Sequence, residues 1–90
     1  MGGGTTPTYE RQEDIAPNTN YNITVKNGFV LLTNKVRTWE IWGAWVVQDG
    51  NVTALNQQTN TTYSYSNGVL TIKNGYTGYG NDNLDTYIYN

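Results

Sequence analysis

Cysteine and histidine are both missing from the 90 residues of this chain. Their absence removes the disulfide as a stabiliser, the thiol as a nucleophile, the usual zinc ligands and the commonest general base. Charge is scarce as well: five Lys and Arg stand against seven Asp and Glu, a net charge of −2. Arg11, Lys26, Lys35, Arg37 and Lys73 are scattered, and only Lys35 and Arg37 lie close together. Phosphate binding needs cations in a cluster, so nucleic acid is not an expected partner. No apolar run approaches the roughly 20 residues of a membrane-spanning helix, so no membrane is expected either. The opening Met1-Gly2-Gly3-Gly4-Thr5-Thr6-Pro7 has neither a basic region nor an apolar core and does not read as a signal peptide. The chain is expected to act where it is made, unless an export signal has been removed.

What the chain does have is short apolar runs punctuated by Asn-Gly and Asp-Gly. The central stretch, Trp39 to Leu55, holds all three tryptophans. A two-residue turn at Asp49-Gly50 pairs Gln48 with Asn51, Val47 with Val52, Val46 with Thr53 and Trp45 with Ala54. Alternation then places Trp39, Ile41, Trp45, Val47, Val52 and Ala54 on one face, with Trp42, Ala44, Val46 and Leu55 on the other. A strand apolar on both faces is central in a layered fold or is covered from outside.

The flanking segments repeat the pattern. Tyr21–Val25 and Phe29–Leu32 are predicted to form a hairpin through Asn27-Gly28, with Val25 opposite Val30 and Ile23 opposite Leu32. Thr62–Ser66 and Val69–Lys73 pair through Asn67-Gly68, so that Tyr65 faces Leu70, Tyr63 faces Ile72 and Ser64 faces Thr71. That hairpin has one apolar side and one hydroxyl side, as a sheet with one wet face requires. Leu84–Tyr89 closes the chain as a last strand. No segment has a helical period. About seven strands at this spacing predict an all-β fold, a small antiparallel β-sandwich of Ig-like or jelly-roll-like kind over residues 21–90, with a partly open barrel as the competing closure. Residues 1–20, rich in glycine and charge, are expected to be an extended N-terminal arm whose apolar points are Tyr9, Ile15 and Ala16.

Few groups are available for chemistry. The carboxylates are Glu10, Glu13, Asp14, Glu40, Asp49, Asp82 and Asp85. Three belong to the arm and Asp49 to its turn, so a converging acid–base pair would need Glu40 with Asp82 or Asp85. Neither a catalytic site nor a cofactor is expected, and Glu40 is assigned to solvent or to a pairing with Lys35 or Arg37. Gly78-Tyr79-Gly80-Asn81-Asp82-Asn83-Leu84 resembles one copy of the calcium-binding nonapeptide of RTX proteins, with Thr77 where the first glycine belongs. A single copy supplies part of a calcium shell, and an ordinary Gly/Asn loop is the reading preferred to a site built on Asp82 and Asp85. Asn22-Ile23-Thr24, Asn51-Val52-Thr53 and Asn60-Thr61-Thr62 match the glycosylation pattern and are read as products of an Asn- and Thr-rich composition.

The aromatics are the remaining resource. Trp39, Trp42 and Trp45, with Tyr76, Tyr79, Tyr87 and Tyr89, offer rings that a sugar can stack on, so a carbohydrate-binding or adhesion module is the alternative reading. Trp39 and Trp45 fall on the core face and Trp42 opposite them, exposed or covering a contact. Taken together, an initiator Met followed by glycines, a polar arm, the lack of Cys and His, and an Asn/Thr/Tyr/Gly-rich sandwich resemble the small auxiliary, decoration or head-fibre proteins of tailed bacteriophages. The resemblance implies a non-enzymatic virion protein that docks on the major capsid protein, another virion protein or copies of itself as a homo-oligomer. A small core, a two-sided apolar strand and an arm likewise favour stability gained by assembly. The residues expected to meet the partner are Tyr9, Ile15, Trp42, Val46 and Leu55.

Overall fold

A computed structural model describes residues 9–75 and 83–90. It is all-β, with eight strands: β1 (Tyr9–Ile15), β2 (Asn20–Thr24), β3 (Gly28–Asn34), β4 (Ile41–Gln48), β5 (Asn51–Gln57), β6 (Thr62–Ser66), β7 (Val69–Lys73) and β8 (Leu84–Tyr89). They make two antiparallel sheets, a five-stranded one in the order β1-β8-β3-β4-β5 and a three-stranded one in the order β2-β7-β6. The inner faces of the two sheets meet in one core. Ile23, Val25, Leu70 and Ile72 come from the smaller sheet's side, and Val30, Leu32, Trp45, Val47, Leu84 and Ile88 from the larger.

The two hairpins with true two-residue turns fold as the sequence predicts. Asp49 (φ 50°) and Gly50 (φ 81°) reverse β4 into β5, and Asn67 (φ 52°) and Gly68 (φ 79°) reverse β6 into β7. Left-handed backbone at both central residues matches the twist of the flanking strands. The resulting registers pair Trp45 with Ala54 and Tyr65 with Leu70.

The expected β2–β3 hairpin does not form. β2 pairs with β7, while β3 lies between β8 and β4 in the other sheet. Neither Asn27 nor Gly28 is among the positive-φ residues, so Asn27-Gly28 is not the turn that a two-residue hairpin needs. Gly28 instead meets a neighbour closely: a Cβ there would lie 2.0 Å from the carbonyl oxygen of Tyr89. Ile23, Val25, Val30 and Leu32 are nonetheless all buried, because strands on opposite walls of a sandwich point the same residues inward.

A second departure concerns the tryptophans. Leu32 pairs with Gly43 but Thr33 pairs with Ile41, so Trp42 is an extra residue in β4. This β-bulge inverts the alternation below it. Trp42 packs against the core, Ile41 turns outward at 38% exposure, and Trp39, expected inside, is 77% exposed. Residues 9–15 are a third: expected within the arm, they form β1 and pair with β8 from Tyr9–Tyr89 to Ile15–Leu84.

Trp45 is the largest fully buried side chain. Its ring meets Tyr63 of the facing sheet edge-on at 5.8 Å. The ring also lies over Gly43, two residues back on the same face, where an added Cβ would come within 2.2 Å of the indole. Gly43→Ala therefore forces a clash in a filled core, and we expect a loss of about 1–3 kcal/mol of stability. Urea unfolding followed by circular dichroism measures it; an unchanged midpoint would show that the indole has room to move.

Candidate functional site

Strand alternation gives the larger sheet an outer face that the smaller sheet cannot reach. Cross-strand pairing sets its residues in rows. Tyr9, Tyr89, Phe29 and Val46 form one row, and Arg11, Tyr87, Leu31 and Ala44 the next. Rings along the first row are in contact: Phe29 to Tyr89 is 6.1 Å between centroids and Tyr89 to Tyr9 is 5.4 Å. Tyr9 also lies 6.3 Å from Tyr87, whose ring carries the Arg11 guanidinium at 5.5 Å. Leu55 stands 61% exposed at the β5 edge as the extra residue of a second bulge, between Ala54 opposite Trp45 and Asn56 opposite Ala44.

The smaller sheet presents the opposite chemistry. Its outer face alternates as Asn20, Asn22 and Thr24 on β2, Val69, Thr71 and Lys73 on β7, and Thr62, Ser64 and Ser66 on β6. Thr71 Oγ1 donates to Asn22 Oδ1 at 2.8 Å. This face carries hydroxyls and amides that can bond to one another and to solvent. The two rows of the larger sheet carry mainly rings and aliphatic side chains instead.

A charged group borders the aromatic face. Asp85 is buried on β8, at 0% exposure, and its carboxylate accepts from Arg11 Nη2 at 2.5 Å and from the Asp14 backbone N–H at 3.1 Å. Asp14 has a left-handed backbone (φ 61°) at an irregularity in β1 between Gln12 and Ile15, which turns its N–H toward Asp85. Its own carboxylate pairs with Lys35. In the neighbouring loop, Asn34 Oδ1 accepts the backbone N–H groups of Val36 and Arg37 at 2.9 and 2.7 Å. Glu40 accepts from Trp42 Nε1 at 2.8 Å and from Arg37 Nε at 3.0 Å.

Of the five residues expected to meet a partner, Tyr9, Val46 and Leu55 belong to the outer face or its rim. Ile15 and Trp42 do not, since both pack against the core. Phe29 and Leu31 belong to the face and were not singled out. Their signal was present as the unbroken run Phe29-Val30-Leu31-Leu32, apolar on both sides of a strand. Tyr87 and Tyr89, read as sugar-stacking candidates, lie here also; Tyr76, Tyr79 and all but the last two residues of the Gly78–Leu84 loop fall outside the described residues. Asp85, the calcium candidate inside them, is engaged by Arg11. Among the described residues no three acidic side chains gather as a metal site would need. The residues thus define an all-β two-sheet protein with one wet outer face and one aromatic one. Comparison with family models, curated proteins and solved structures finds no match for the chain.

The hydrogen bond from Trp42, followed by Arg37, holds the Glu40 carboxyl below its ordinary pKa, and the one from Lys35 does so for Asp14. A lowered folded-state pKa stabilises above the unfolded value and loses that contribution as the pH falls through the lowered one. On the acid side, stability should therefore be level from about pH 5 to neutrality and decline below about pH 4. Glu40→Gln keeps an acceptor for Trp42 but cannot titrate, so its stability should fall less steeply between those limits. Thermal melts of both proteins across the acid range measure this, and parallel curves would assign the acid loss elsewhere.

Proposed function

We propose that this chain is a non-enzymatic structural protein that docks on a protein surface through the outer face of its five-stranded sheet. The setting its make-up resembles is a tailed-phage virion, in which it would be a capsid decoration, auxiliary or head-fibre component. The observation that carries the docking reading is the contrast between the two outer faces. One sheet is finished for water with Ser, Thr and Asn, and the other carries Phe29, Leu31, Val46, Tyr87 and Tyr89 in adjacent rows. A contiguous apolar patch on so small a domain marks an interaction surface. Tyr and Phe with one Arg are also the residue types enriched at the centres of protein interfaces.

The aromatic row gives a second reading its footing, since three rings spaced 6.1 and 5.4 Å apart suit a chain of sugars. Neighbouring rings are tilted by 44° and 31°, however, so they pack on one another rather than offering one plane. Protein docking fits that geometry better.

The test is incorporation. If the reading holds, mass spectrometry of particles purified from cells that express the protein should detect it at a fixed copy number. Val46→Glu combined with Leu55→Glu should leave the circular dichroism spectrum unchanged and reduce incorporation at least tenfold, since charge at an interface core costs several kcal/mol when unpaired. Full incorporation of that variant would exclude this face. Absence of the wild-type chain from particles would exclude the virion setting. A fluorescence change with soluble glycans, lost in Tyr9→Ala with Tyr89→Ala, would put the carbohydrate reading in its place.

A further inference from the structure

β1 stands apart from the other strands. It lies at the end of the larger sheet with β8 as its one neighbour there, and most of its residues are exposed. Its attachment is nonetheless specific. Arg11 reaches the buried Asp85 carboxylate, the Asp14 N–H meets the same group, and Tyr9 packs on Tyr87 and Tyr89. Without β1, Asp85 would lose Arg11 and the Asp14 N–H, keeping only the longer-range attraction of Lys35, and β8 would be an open edge flanked by aromatics. An edge left in that state invites another strand.

The link from β1 to the body is residues 16–19, which cross from one sheet to the other. Pro17 and Asn18 form its turn, and Asn18 has φ 58°, the left-handed conformation that a type II turn demands after proline. Asparagine tolerates this better than most residues but prefers extended backbone, so straightening the link relieves Asn18. Proline at Pro17 suits the extended form equally well. Short hinges under strain, joined to an edge element whose contacts are all specific, are where identical chains exchange elements at low cost.

We propose that β1 is an exchangeable strand, and that a second copy of this chain supplies the β1 that covers β8 in a strand-swapped dimer. Every contact that β1 makes with β8 is remade between chains, including Arg11 on Asp85. The hinge decides the balance. Asn74 pins the closed form: its Nδ2 donates to the Ile15 and Ala16 carbonyls at 3.1 and 3.0 Å, and its carbonyl accepts from the Asn18 N–H at 2.6 Å. The bonds to Ile15 and Ala16 can be remade with the other copy's strand, so opening surrenders the Asn18 bond and the 3.3 Å bond from Thr19 Oγ1 to the Pro17 carbonyl. Closed monomer and exchanged dimer are thus close in energy apart from association entropy, and concentration selects between them.

The lack of cysteine makes the test direct. Tyr9 and Tyr89 are paired across β1 and β8, and the double variant Tyr9→Cys, Tyr89→Cys places two thiols there. Protein refolded from urea at about 1 mM and at about 10 µM is separated by gel filtration, oxidised, and run on a denaturing gel without reductant. The expected result is a dimer fraction that rises with concentration and is linked chain to chain, beside a monomer fraction linked within the chain. Dimers that fall apart on the gel into internally linked chains would overturn the exchange while leaving face-to-face docking intact. Monomer alone at both concentrations would also overturn it. Should the thiols disturb the edge, deletion of Pro17 and Asn18 serves instead: the chain can no longer fold back, and sedimentation should find it wholly dimeric. A monomeric deletion variant would refute the proposal.

Discussion

The structure depends on the indole of Trp45. It spans the gap between two sheets of unequal width, edge-on to Tyr63 on the far side and with its six-membered ring against Gly43 on its own. A side chain of that size fixes the sheet separation near the ~10 Å of packed sheets, and the aliphatic residues around it fill what remains. Room for the ring exists only because Gly43 has no Cβ. The chain lacks a disulfide or a large core to fall back on, so this one contact, with the strands it aligns, settles where everything else sits.

The unequal widths follow from connectivity. Had β2 and β3 paired as a hairpin, each sheet would have held about four strands and the apolar surface would have been shared out. Instead the chain crosses between layers at Asn27-Gly28, and β3 takes its place between β8 and β4. Three strands then cover the inner face of five. The outer face of the wider sheet retains its aromatic and aliphatic residues, and no strand among the described residues lies above them.

How much of this was legible depended on the range of the interaction. Asp49-Gly50 and Asn67-Gly68 act within four residues, and the hairpins they direct were read in correct register. The pairing of β2 was not legible, since Ile23 and Val25 point inward whether β3 or β7 is their neighbour, and Asn-Gly at 27 and 28 gives the same dipeptide signal without the turn. The bulge at Trp42 was hidden too. A one-residue insertion leaves composition and spacing untouched while exchanging the faces of Trp42 and Ile41. β1 was missed because Glu10, Arg11, Glu13 and Asp14 read as a solvated run, when four charges on a free edge are what keeps an edge strand from pairing indiscriminately. The outer face was half legible: Val46 and Leu55 followed from the central hairpin, while Phe29 and Leu31 needed the knowledge that β3 is an interior strand.

β1 joins these observations. It is the element that guards the edge of β8, and it also supplies Tyr9 to the aromatic row and Arg11 to the ring of Tyr87. The outer face is therefore complete only when β8 is occupied, whichever copy provides the strand. If two chains exchange β1, each finishes the other's surface as its own β1 does in the closed chain, so exchange would join two copies without altering the outer face. A strand so heavily charged could have been left in solvent at little cost; its placement against Asp85 and the tyrosines ties the edge of the sheet to the face beside it.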